Sequence, residues 1–159
     1  MKASLLMLGL LAFAANAQAQ SSSSSNHQVT QRSQAEQATA AWALFNVTGD
    51  ALGLAEDYKD NEGIGNTTAG SYLNDLANDT RPLKDAARRL AGLLERNAPR
   101  WEIDNELRII EERYLDTRSG NQKASTQLYV QGKPNEGYQI RTAYTKIRSR
   151  WVYLQGLLD

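Results

Sequence analysis

The sequence has 159 residues, with 18 basic and 18 acidic side chains, one histidine, two methionines and no cysteine. Without a thiol the chain forms no disulfide, carries no cysteine-linked lipid and has no cysteine nucleophile. Its imidazole, His27, and its thioethers, Met1 and Met7, all fall near the start, which leaves the remainder poorly supplied for haem ligation or for a histidine base.

Residues 1–19 read as a secretory signal peptide. Lys2 gives the positive start, Leu5–Ala15 is an apolar run, and Ala17-Gln18-Ala19 is a small-x-small cleavage site. The run is too short to span a bilayer, and no second long apolar run follows. A mature chain from Gln20, periplasmic or secreted and without a transmembrane segment after cleavage, is therefore expected. Ser21–Ser25 is a polyserine tract, so residues 20–29 are expected to be a flexible leader. Residues 30–159 are long enough to bury a core of their own, and one domain is expected there.

Helical periodicity sets in near Gln31. Ala38, Trp42, Phe45, Gly49 and Leu52 follow at steps of four and three, with Ala35, Ala41, Leu44 and Ala55 widening the stripe. The spacing predicts a first helix over about Thr30–Tyr58, with Val47-Thr48-Gly49 as its weak point. Lys59–Thr68, with Asn61, Gly63, Gly65 and Asn66, is the clearest loop, and Thr67 or Thr68 is the cap that follows. In the next segment Leu73, Leu76, Thr80, Leu83, Ala87, Leu90 and Leu94 alternate steps of three and four through Pro82. Because the stripe keeps its phase across the proline, one bent helix over about Thr68–Asn97 is preferred to two helices broken there.

Asn97-Ala98-Pro99 is a stop and restart. Ile103, Leu107, Ile110 and Tyr114 then define a third stripe, and Ser119-Gly120-Asn121 weakens it before Gln122–Gln131 resumes. Gly132–Gly137 reads as a break. Ile140, Tyr144, Ile147, Trp151, Leu154 and Leu158 give a final helix over about Tyr138–Leu158. The fold class is all-α: an antiparallel four-helix bundle, with five helices if the second is broken at Pro82. Trp42, Trp101 and Trp151 are expected in the core or half-buried at its rim.

The chemistry sought in such a bundle is mostly missing. There is no Glu-x-x-His for a di-metal carboxylate centre, no Gly-x-Ser-x-Gly and no phosphate-cradling loop, Gly63-Ile64-Gly65 being only a turn. Glu102, Glu106 and Glu111 flank an apolar stripe and are expected on a solvated face. No cofactor, no metal and no enzyme activity are expected. Three Asn-x-Thr triplets, at Asn46, Asn66 and Asn78, are glycosylation acceptors in a host that glycosylates.

Charge is distributed unevenly. Gln28–Asp79 sums to −6 and Thr80–Asp159 to +5. Either the acidic and basic helices neutralise each other's rims, or a basic surface is left to attract an anion. Between Arg118 and Arg150 seven cations stand against the single acid Glu136. Arg141, Lys146, Arg148 and Arg150, with Trp151, are the candidate binding residues. The function expected is non-catalytic binding of another envelope or secreted protein. The alternatives are self-association through a helix face and carriage of a small apolar ligand, and an anionic glycan or lipid headgroup is a further partner class. Nucleic acid is not expected, since the sequence has no motif for it.

Overall fold

In the computed structural model the backbone is described for residues 8–158 and side chains for residues 33–158. The predicted signal peptide and serine-rich leader fall outside the residues whose side chains are described. Two units are distinguished, Met1–Gln34 and Ala35–Asp159. Among the described residues all regular structure is helical: α1 (Leu8–Asp60), α2 (Glu62–Gly65), α3 (Thr68–Glu95), α4 (Arg100–Val130) and α5 (Pro134–Leu158). No helix among them is long and apolar enough to cross a membrane.

The fifth helix is not a fragment made by Pro82. It is the single turn α2, inside the stretch that reads as a loop. Asn61 caps it by accepting from the Gly63 N–H at 3.0 Å, and Ile64 closes one end of the core. Thr67 caps α3 by accepting from the Gly70 N–H. Gly70 is required at that point, because a Cβ there would collide with the carbonyls of Ile64 and Gly65.

Helix α3 runs unbroken through Pro82. The whole predicted stripe from Leu73 to Leu94 is buried. Each leucine so buried contributes about 1.5–3 kcal/mol, enough to hold a helix together across one missing hydrogen bond. Neighbouring groups also occupy carbonyls before the proline: Thr80 Oγ1 donates to Leu76 O at 2.7 Å, and Thr117 Oγ1 donates to Asp79 O at 3.2 Å.

Helices α3 and α4 end alike. Ala98 N–H donates to Leu93 O and Asn97 N–H to Leu94 O; Lys133 N–H donates to Leu128 O and Gly132 N–H to Tyr129 O. Both are Schellman turns, which need one residue in the left-handed region. Asn97 (φ 52°) and Gly132 (φ 73°) supply it.

Two sequence expectations shift here. The buried line of α1 is Ala38, Ala40, Ala41, Leu44, Thr48, Ala51, Leu52 and Ala55, while Trp42, Phe45 and Gly49 are half-buried on its flank and Ala35 is exposed. Thr48 fits the interior because its hydroxyl donates back to the Leu44 and Phe45 carbonyls. The other shift concerns Ser119-Gly120-Asn121 and Gly137, which lie inside α4 and α5 and are not breaks: Ser119 is exposed, while Gly120, Asn121 and Gly137 are buried, the two glycines at points of close packing. A Cβ on Gly120 would stand 3.0 Å from Asp79 Oδ2 and 3.3 Å from Leu76 Cα; one on Gly137 would stand 3.0 Å from Ser125 O. The break between α4 and α5 is therefore only Gln131–Lys133, and Pro134 opens α5 at the first helical position that suits proline.

Pairings along the helices fix their neighbours. Trp42 Nε1 donates to Glu95, and Arg81 pairs with Glu56, joining α1 and α3. Arg89 pairs with Glu106, and Thr117 reaches Asp79, joining α3 and α4. Asn121 Nδ2 donates to Ile140 O, and Arg100 to Leu158 O, joining α4 and α5. Gln37 donates to Leu157 O, and Tyr58 to Gln139, joining α5 and α1. In every pair one residue number rises as the other falls. Two apolar clusters fill the space enclosed, one around Leu44, Leu90, Ile110 and Leu154, the other around Ile64, Leu73, Leu128 and Ile140. Thr48, Thr80, Thr117 and Asn121 are the buried polar residues of the middle region, each tied to a backbone carbonyl.

Candidate binding surface

Helix α5 presents two different flanks. Along one, Gly137, Arg141, Tyr144, Arg148, Trp151, Gln155 and Leu158 follow at alternating steps of four and three. Their contacts are with α4: Tyr144 stacks on Tyr114 with ring centroids 5.7 Å apart, Trp151 lies 6.3 Å from the same ring, and toward the end of α5 Trp151, Gln155 and Leu158 line a groove of about 250 Å³ with Arg100, Asp104, Leu107, Arg108 and Glu111. Along the other, Gln139, Ala143, Lys146, Arg150, Tyr153 and Leu157 keep the same rhythm. Their contacts are with α1: Tyr58 donates to Gln139, Gln37 to Leu157 O, and Tyr153 to Glu36 at 3.0 Å.

The candidate residues therefore do not form one patch. Arg141 and Arg148 belong to the α4 flank, Lys146 and Arg150 to the α1 flank, and all four are exposed. Trp151 is a core residue, 4% exposed, and is not offered to a partner. The exposed tryptophan is Trp101, at 70%, against the expectation that all three would be covered. Trp42 is half-buried, with its indole N–H on Glu95.

Ion pairing separates two sets of cations. Arg81, Arg89, Arg96, Arg100, Arg108 and Arg113 each hold a carboxylate within 3.2 Å. Glu102 and Glu106 serve in those pairs, and Glu106, at 7% exposure, is buried rather than solvated as its sequence neighbours suggest; Glu111 is exposed. The apolar seam left room for that carboxylate because the Arg89 Nε and guanidinium cover it from α3. Among the described residues Lys84, Arg88, Arg118, Lys123, Lys133, Arg141, Lys146, Arg148 and Arg150 take part in no ion pair. Neutralisation between the acidic and basic halves is thus local, and Arg81–Glu56 is its instance between α1 and α3.

Beneath the α4 flank lies a strained polar group. The Tyr144 hydroxyl is buried without a hydrogen-bond partner. The Tyr114 hydroxyl beside it does not reach hydrogen-bond geometry. Burial first, then Tyr114, holds Tyr144 far above the usual phenol range, while the charges of Arg118 and Arg148 pull it down. On the α1 flank, the bond to Glu36 raises Tyr153. An orphaned buried hydroxyl carries its desolvation cost uncompensated. Tyr144→Phe is therefore expected to leave stability unchanged or raise it by about 1 kcal/mol in urea denaturation. A loss of that size would mean that the hydroxyl is satisfied in solution.

The acceptor triplets fare differently. All three asparagines are exposed, but Thr48 and Thr80, the hydroxyl residues of two of the triplets, are buried inside α1 and α3, whereas Thr68 of the third is exposed at the start of α3. No family model, curated protein or solved structure matches the chain.

Proposed function

We propose that the chain is an exported, non-catalytic binding protein: an antiparallel four-helix bundle, with α2 as a single turn between its first two members, that recognises an acidic protein of the envelope or the extracellular space. The observation that carries this reading is the contrast in pairing. Six of the seven arginines from Arg81 to Arg113 are neutralised by carboxylates, while among the described residues Arg141, Lys146, Arg148 and Arg150 stand exposed on α5 in no ion pair. Exposed pairs are each worth little to stability, so cations left unpaired cost the fold little and remain free to steer a partner of opposite sign. The signal-like start supports export, and a chain without cysteine, whose one histidine is His27, supports a role without catalysis.

The test is affinity capture from the native envelope fraction. The parent protein is compared with a variant carrying Arg141→Gln, Lys146→Gln, Arg148→Gln and Arg150→Gln. An acidic protein enriched by the parent and lost from the variant is the expected result. Equal recovery by both, or no specific recovery by either, would overturn the reading.

A further inference from the structure

The two flanks of α5 are not equivalent, because α4 adds a cation to one of them. Arg118 is on α4 one turn beyond Tyr114, whose ring stacks on Tyr144. Asn121, one turn further, is bonded to Ile140 O. These two contacts place Arg118 opposite Ile140–Tyr144 of α5, the turn that carries Arg141. The charges of Arg118 and Arg148, one from each helix, both act on the Tyr144 hydroxyl. None of the three arginines takes part in an ion pair among the described residues.

Along α5, Arg141 and Arg148 are seven residues apart, or about 10 Å. Arg118 faces the turn that carries the first of them. Exposed apolar side chains share the helix faces of these arginines: Leu115 precedes Arg118 by three residues, and Val152 follows Arg148 by four. On the α1 flank, by contrast, Lys146 and Arg150 lie in line with Tyr153, which is already engaged by Glu36.

Resting on the binding reading above, we infer that the α4–α5 groove is where the partner is read, and that its occupant is a carboxylate-rich peptide segment held by Arg118, Arg141 and Arg148. Three guanidinium groups spaced along a furrow match successive carboxylates of a chain, each able to accept two parallel N–H bonds. Leu115 and Val152 on the same helix faces suit a polypeptide, which alternates apolar and charged groups. A sulfated glycan offers nothing to them, and a furrow between two helices is the wrong shape for a flat membrane surface.

The probe is a labelled oligoglutamate peptide, titrated by fluorescence anisotropy, with oligoglutamine as the neutral control. Arg118→Gln with Arg148→Gln is expected to weaken oligoglutamate binding by at least about tenfold, while Arg88→Gln with Lys123→Gln, which removes two exposed cations outside the binding surface, changes it by less than about twofold. All four positions are exposed, and matched thermal melts confirm that both variants fold. An equal loss in the two variants, or no loss in either, would overturn the inference. So would tighter binding of phosphatidylglycerol vesicles or of a heparin-derived oligosaccharide than of oligoglutamate. If envelope capture survives Arg118→Gln with Arg148→Gln but is lost with Lys146→Gln and Arg150→Gln, the groove assignment fails while the binding reading stands. If oligoglutamate binds as expected but capture recovers nothing specific, the binding reading fails and the groove chemistry stands.

Discussion

Leu90→Asp is expected to cost at least about 4 kcal/mol and to abolish cooperative folding near physiological temperature. Leu90 has no exposed surface and sits in the cluster that includes Leu44, Ile110 and Leu154, with a residue from each of the four long helices. A carboxylate there would lose its hydration and gain no counter-charge, since the nearby arginines Arg88 and Arg89 lie on the exposed face of α3. The check is chemical denaturation followed by far-ultraviolet circular dichroism. A variant that melts like the parent would show that this face of α3 is not the buried one.

Gly120→Leu is the second large effect, at about 3 kcal/mol or more. The two helices approach so closely at Gly120 that even a Cβ would press on the Leu76 backbone. Separating α3 from α4 would also strip Thr117 from the Asp79 carbonyl, leaving buried groups unpaired. Gly92 supplies the comparison within the same molecule. Nothing lies within 4 Å of a Cβ built there, so Gly92→Ala is expected to stabilise α3 by the propensity difference of about 0.5–1 kcal/mol. If both glycines respond alike, close approach is not what Gly120 provides.

What the sequence discloses about this fold depends on how the interior is built. The stripe of α3 is legible because its side chains are leucines and alanines, and hydrophobicity marks every position. The second half of α4 is not, because its seam is Thr117, Gly120, Asn121 and Ser125, residues that read as loop formers. They sit inside because backbone carbonyls of α3, α4 and α5 accept their hydrogen bonds, a condition invisible without the neighbours. In α1 the aromatic residues drew the stripe toward Trp42 and Phe45, whereas small residues and Thr48 face the centre, where helices come closest.

The binding surface divides in the same way. The four cations of α5 are plain in the sequence, but their separation into two flanks follows from which helix stands on each side. Trp151 stands both on the apolar stripe of the last helix and beside its cations; its burial and its contact with Tyr114 assign it to the stripe. Arg118 belongs to the cationic stretch in sequence, yet its place opposite the turn that carries Arg141 comes from the Asn121–Ile140 and Tyr114–Tyr144 contacts.

The measurement that bears most directly on the account is the side-by-side envelope capture by the parent and by the α5 variant lacking its four cations, both verified as folded. The account predicts one acidic protein present with the parent and missing with the variant. Identical sets of captured proteins would contradict it.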